Sequence, residues 1–260
     1  MKNQLVTAEK ENGVAVITIS NPPLNVMNKQ VQKELAEISF DLRRDREVIC
    51  VILTGAGEKA FIAGADIKEF PQLMGNPEMK KEIMKTHEML NDFASLPKPT
   101  IAVLNGMTFG GGCELALACD MRIAEEHAEI GLPEVKLGLF PGGGGTQRLP
   151  RLIGPAKAKE MMFGGEPVDA EEAERIGLVN KVVPKGEGME MAIQAASHIT
   201  SQSLEALSRI KKSVDDGLQL PLDEGIKQEM DLFVEVFQTE DIQEGVQAFF
   251  EKRNPSFKHN

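Results

Sequence analysis

Two runs of this chain are apolar at nearly every position, and they constrain the fold more than any other feature. Val48–Thr54 is a continuous, largely β-branched stretch, and Thr100–Leu104 is a second one. Runs this short and this apolar, bounded by turn residues, read as buried strands. Gly55-Ala56-Gly57 follows the first and opens a loop to Asp66; Pro97 and Pro99 bracket a turn before the second. Between them, Pro77–Phe93 carries Ile83, Met84, His87, Leu90 and Asn91 roughly on one helical face. Upstream, Val14–Ile19 alternates as a strand, and Asn28–Arg44 spaces Val31, Leu35, Ile38 and Leu42 for a helix.

The alternation continues. Gly110-Gly111-Gly112 leads into the apolar Cys113–Ala118, a loop-to-helix junction. Met121–Ala124, Ala128–Ile130 and Val179–Val183 read as short strands, with helices at Gly144–Ile153, Pro155–Phe163 and Ala170–Ile176. From about Met189 the pattern is helical to Glu251, broken at Gly217 and Pro221. Strands that alternate with helices predict an α/β fold. We therefore expect an α/β core over residues 1–195 and a helical region over 196–260 that covers the site or mediates assembly.

Composition narrows the class. In 260 residues there are 29 basic and 40 acidic side chains, a net charge of −11, which argues against general nucleic-acid or anionic-membrane binding. Trp and Tyr are absent, so the 12 Phe and 13 Met supply the large core side chains. Three cysteines, Cys50, Cys113 and Cys119, fit buried thiols in a reducing compartment rather than a disulfide framework. Met1-Lys2-Asn3-Gln4 has no apolar segment of the signal-peptide type, and no run is long enough to span a bilayer. A cytoplasmic location is expected. His87, His127, His198 and His259 lack metal-ligand spacing, so no metal is expected.

Thr108-Phe109-Gly110-Gly111-Gly112-Cys113-Glu114-Leu115 holds consecutive glycines just before a helix. The first N–H groups of a helix lack intrahelical partners, so such a loop suits an anion or a developing oxyanion, or is simply a tight turn. It is neither a Walker loop nor a GxGxxG fingerprint. Phe61-Ile62-Ala63-Gly64-Ala65-Asp66 again exposes backbone through small residues, either to a ligand or as a surface loop. Glu114 lies in an apolar segment and alone reads equally as a site acid or a solvated helix position; Glu134 follows Pro133 and alone reads as a surface acid. A Rossmann-type enzyme would place its glycines near the first strand, whereas here they lie after residue 105.

In order and spacing, these segments resemble the enoyl-CoA hydratase/isomerase (crotonase) superfamily nearly end to end. The resemblance is carried by Asn21-Pro22-Pro23-Leu24-Asn25, Phe61–Ile67, Ile101–Gly106 leading into Gly110–Leu115, Pro133-Glu134 through Leu137-Gly138, Pro141–Leu149, Gly177-Leu178-Val179, and the tail from Glu240 through Arg253. It implies a crotonase-like spiral of ββα units with a C-terminal helical trimerisation region, and a homotrimer or dimer of trimers. It implies an acyl-CoA thioester as substrate and no cofactor. Ala63 and Gly111 match the oxyanion-hole positions, and Glu114 and Glu134 the two catalytic glutamates. Ala63, Gly64, Ala65, Asp66, Ile67, Gly111, Pro133 and Gly142 match substrate-binding positions, with Gly142 near the second glutamate. Lys252 and Arg253 match a tail that approaches CoA phosphates in a neighbouring subunit. Having both glutamates favours hydration of a 2-enoyl-CoA to a 3-hydroxyacyl-CoA, with fatty-acid β-oxidation as the expected pathway. Isomerase, decarboxylase or hydrolase chemistry, and a silent CoA- or RNA-binding relative, are the competing readings.

Overall fold

The computed structural model describes residues 4–260; the polar start at residues 1–3 lies outside them. The chain runs β1 (Val6–Glu11), β2 (Val14–Ile19), α1 (Lys29–Arg44), β3 (Cys50–Gly55), β4 (Ala60–Ala63) and α2 (Met79–Ala94). Next come β5 (Thr100–Leu104), β6 (Met107–Phe109), α3 (Gly111–Leu117), β7 (Met121–Glu125), β8 (Glu129–Gly131), α4 (Gly145–Ile153) and α5 (Pro155–Gly164). Then follow β9 (Val168–Asp169), α6 (Ala170–Arg175), β10 (Lys181–Val183), α7 (Gly188–Thr200), α8 (Leu204–Gly217), α9 (Leu222–Val236) and α10 (Glu240–Glu251). Short 3-10 helices at Ile67–Gln72 and Pro133–Leu137 follow β4 and β8.

Two sheets share these strands. The larger has the order β1-β2-β3-β5-β7-β10, the smaller β4-β6-β8-β9. Each of β3, β5 and β7 in the large sheet is followed within a few residues by β4, β6 and β8 in the small one. Every turn of the spiral thus adds one strand to each sheet before a helix or helical turn closes it. Within each sheet these strands run parallel, so the turns stack in register.

The continuous apolar runs now have a physical reason. Successive side chains of a strand point to opposite faces. Val51 and Leu53 join Ala102 and Leu104 in one core cluster. Cys50 and Ile52 join Ile101 and Val103 in a second cluster, against Ala192 and Ala196 of α7. Each fully buried Leu or Ile contributes roughly 1.5–3 kcal/mol. Because α7 closes the second cluster, the expected boundary after residue 195 falls inside a core helix; the helices beyond the core begin at Leu204.

The local signals behave as their chemistry requires. Asn28 caps α1, its side chain accepting from Val31 N. Two breaks absent from the sequence reading separate α7 from α8 and α9 from α10. They are capped by Ser203 and Thr239, whose side chains accept from Ala206 N and Ile242 N. Buried Asp241 ties these helices to the tail, accepting from Ser203 Oγ at 2.6 Å and Lys258 N at 2.8 Å.

The candidate active site

Strands β4, β6 and β8 are neighbours in the small sheet and run parallel, so their C-terminal ends share one edge. Residues 64–67 leave β4 there, Gly110 to Glu114 leave β6, and Pro133-Glu134 leave β8. Ligands of α/β sheets sit beyond the carboxyl ends of strands. The segments that sequence brought together by resemblance are therefore brought together in space by strand order.

Close packing at this edge demands glycine. Gly110 has φ +51, and an added Cβ would lie 3.1 Å from Glu134 Oε1 and 3.8 Å from Gly64 Cα. At Gly112 a Cβ would collide with the Ile62 carbonyl, so α3 can press against β4 only without a side chain there. Gly111 opens α3, leaving its N–H without an intrahelical acceptor.

The N–H groups of the residues 63–67 segment divide into paired and unpaired. Ala63, expected to supply an oxyanion donor, gives its N–H to the Leu24 carbonyl at 3.1 Å. That donor is spent inside the protein, which corrects the expectation. Met27 N donates to Gly64 O at 2.8 Å and Asp66 N to Met27 O at 3.0 Å, a parallel bridge centred on Ala65. In such a bridge the central residue's own N–H points away from the partner strand. Ala65 N accordingly has no acceptor among the described residues, and it lies 3.8 Å from the Cβ direction of Gly111. Asp66 caps the 3-10 helix, accepting from Lys68 N at 3.1 Å, and Ile67 is exposed at the rim.

Glu114 is 4% exposed, and its Oε1 accepts from Gly143 N at 2.7 Å and Gly145 N at 2.9 Å. Burial raises its pKa above the ordinary carboxylate value. Those two N–H bonds, then His87 and Arg148, pull it back. A Cβ at Gly143 would collide with Glu114 Oε2, and one at Gly145 would lie 3.1 Å from Oε1. Gly142, expected beside the second glutamate, donates to neither carboxylate; its neighbours Gly143 and Gly145 hold the first one instead.

Glu134 follows half-buried Pro133 on the second 3-10 helix. Its Oε2 is buried without a hydrogen-bond partner. Burial, with the charge of Glu114 adding to it, pushes its pKa up to about 7. A buried carboxyl oxygen without a donor carries a desolvation cost, and binding a proton reduces it.

Other candidates resolve differently. Cys113 is buried among apolar neighbours that raise its thiol pKa, unlike a reactive thiolate. Arg253 donates to Glu244 and to Glu251, at 2.6 Å each, in exposed pairs within its own chain. Lys252 is the exposed left-handed cap of α10. Among the described residues, no His, Cys, Asp and Glu cluster is arranged to hold a metal ion, and no helix is long and apolar enough to cross a membrane. The sequence reading passed over Gly143, Gly145 and Arg148. Its signal was the run Gly142–Gly145 before a helix, the same arrangement that marked Gly110–Gly112.

With a spiral of strand pairs, two facing glutamates and unpaired backbone donors in place, the comparisons define the class: the chain belongs to the enoyl-CoA hydratase/isomerase family, which it matches over residues 9–260. It is 45% identical over 249 residues to the short-chain-enoyl-CoA hydratase of Clostridium acetobutylicum, covering 95% of each chain. It is 40% identical over 258 residues to the crotonyl-CoA hydratase of Syntrophomonas wolfei, covering 99% of each. The crystal structure of an enoyl-CoA hydratase from Bacillus anthracis superposes with a TM-score of 0.94 at 40% identity, covering 99% of this chain and all of that one.

Proposed function

We propose that the protein is an enoyl-CoA hydratase that adds water across the 2,3 double bond of a short-chain 2-enoyl-CoA to give a 3-hydroxyacyl-CoA. The observation that carries this reading is the pairing of Glu114 with Glu134 beside unpaired N–H groups at one sheet edge. The names of the Clostridium and Syntrophomonas relatives support the short acyl chain.

Water is a weak nucleophile, and the enoyl thioester needs help to accept it. Gly111 N–H and Ala65 N–H are the two donors available to the thioester oxygen, where enolate charge develops. Loss of one oxyanion-hole donor typically costs about 2.7–4 kcal/mol of transition-state stabilisation. Glu114, gripped by two N–H bonds, serves as the carboxylate that orients the water and takes its proton. Glu134, with a pKa near 7, supplies the proton that ends on the α-carbon. Gly64, Asp66, Ile67, Pro133 and Gly142 line the approach to this centre. The chemistry described uses no cofactor or metal, and coenzyme A enters as part of the substrate. Helices α8–α10 serve assembly into a trimer or a dimer of trimers, and the cytoplasm is the location that suits three unpaired cysteines.

The direct test is a steady-state assay with crotonyl-CoA, following loss of the conjugated enoyl absorbance and identifying the hydroxyacyl product. Turnover extended along a crotonyl-to-decenoyl series reads the chain-length preference. Isomerisation of a 3-enoyl-CoA without hydration of crotonyl-CoA would refute the reading.

A further inference from the structure

We propose that Arg148 is a positioning residue that keeps Glu114 the ionised member of the glutamate pair, and that Asn91 is the partner that orients Arg148 without neutralising it. The inference rests on the hydratase reading for its consequence in turnover, though not for the charge arrangement itself.

Arg148 sits on α4, one turn beyond the glycine loop. Its Nη1 donates to the Gly143 carbonyl at 3.2 Å and its Nη2 to Asn91 Oδ1 on α2 at 2.8 Å. Gly143 is the residue whose N–H holds Glu114 Oε1 at 2.7 Å. The guanidinium therefore grips one side of Gly143 while Glu114 is held by the other. A Cβ on Gly144, which has φ +105, would collide with Nη1, so the loop is shaped to admit this side chain.

Half-buried arginines are ordinarily paired with a carboxylate. Among the described residues, no carboxylate makes an ion pair with Arg148, whose side-chain bonds go to Gly143 O and Asn91 Oδ1, and the acid that acts on it is Glu114. Its side-chain partner is an amide. An aspartate at residue 91 would make the same hydrogen bond and absorb the charge; asparagine accepts the bond and leaves the charge facing Glu114. The groups facing Glu114 are then Arg148 from α4, His87 from α2 and Glu134 from the 3-10 helix after β8. Among the described residues, the charged group acting on Glu134 is Glu114. The fixed charge of Arg148 thus acts on Glu114 and not on Glu134, and this asymmetry separates acid from base.

The test titrates Glu carboxyl carbons by 13C NMR in the full-length protein, identifying Glu114 by the signal lost in Glu114→Gln. Arg148→Met and Asn91→Asp are expected to raise the Glu114 titration by about one unit or more, as loss of a nearby opposite charge does. Arg148→Lys should hold it near the wild-type position. With crotonyl-CoA, the acidic limb of kcat/KM should move to higher pH in the first two variants while KM changes little. His87→Gln run alongside separates the histidine's contribution. Asn91→Asp preserves shape and one hydrogen bond, so it decides the matter if Arg148→Met does not fold. An unmoved Glu114 titration in Asn91→Asp, or an equal shift in Arg148→Lys, overturns the proposal. Absence of crotonyl-CoA turnover in the wild type, with the titration shifts present, would overturn the hydratase reading and leave the charge arrangement standing.

Discussion

Glu114 and Glu134 are chemically identical and rest in unlike surroundings. One accepts two backbone N–H groups; the other has an oxygen with no donor. For Glu134 the sign of the pH effect follows directly. Its carboxyl titrates near 7 when folded against an ordinary value of 4.5, so between those values the folded state binds more proton and stability falls as pH rises. Glu134→Gln should therefore melt above the wild type at pH 8 and about level with it at pH 4, measured by calorimetry, while hydratase turnover drops by orders of magnitude and acyl-CoA binding survives. Near-normal turnover of the purified variant would remove Glu134 from the mechanism. At Gly143 a Cβ must displace Glu114 Oε2. Gly143→Ala is expected to lower kcat about 100-fold, since a shift of roughly 1 Å in a catalytic group has that effect. Which backbone donors remain free was not legible at this scale. Ala63 and Ala65 are the same residue type on either side of Gly64, and only the Leu24 and Met27 contacts distinguish them.

The elements differ in how plainly they were written. Strands β2, β3 and β5 and helices α1 and α2 carry five or more residues of clear pattern, and each forms within about two residues of its predicted bounds. The small sheet was harder. β8 was read as Ala128–Ile130, one residue from its observed bounds, but β6 has three residues and β9 two, too few for alternation to register, and β4 was read as loop. Strand β1 was missed because Val6–Glu11 faces mostly outward and its composition is that of an exposed edge. The site was legible as a set of segments because its glycines answer to steric demands that other residues cannot meet. Helix α3 shows this most clearly. Its N-terminal turn packs on Ile62 at Gly112, and the carbonyls of Ala116 in its last turn and Cys119 just beyond it accept from buried Arg122 at 3.2 Å and 2.7 Å. Gly112→Ala forces α3 away from β4. Its expected result is a protein with lowered thermal stability and hydratase activity below one-hundredth of wild type, read by circular dichroism and the crotonyl-CoA assay.

At the scale of the molecule, the C-terminal helices are joined to the sheet by few but specific contacts. Lys211 of α8 reaches Asp120 at 2.9 Å, and the same carboxylate accepts from Thr100 N and Oγ1 at the start of β5. Lys211→Met is expected to cost about 1.5–3 kcal/mol of α8 docking, the worth of a hydrogen bond to a charged group. Hydrogen exchange should quicken in α8 before it does in β3. The outer faces of these helices expose Leu218, Leu222, Phe249 and Phe250, each more than three-quarters accessible in the single chain. Assembly of the proposed trimer is expected to cover these side chains. Sedimentation should give three or six times the chain mass of 28.4 kDa, and replacing Phe249 and Phe250 together with Asp should lower it.

The small sheet has one more consequence. Neighbouring strands stand about 4.8 Å apart wherever a sheet is formed. Ala65, Gly111 and Glu134 each follow a different one of three adjacent strands, so the sheet acts as a ruler that spaces donor, helix and acid before any side chain is chosen. Length added to the outer loops leaves that ruler unmarked. Replacing Glu114 or Glu134 is therefore expected to remove turnover while the strand spacing that sets the site stays in place.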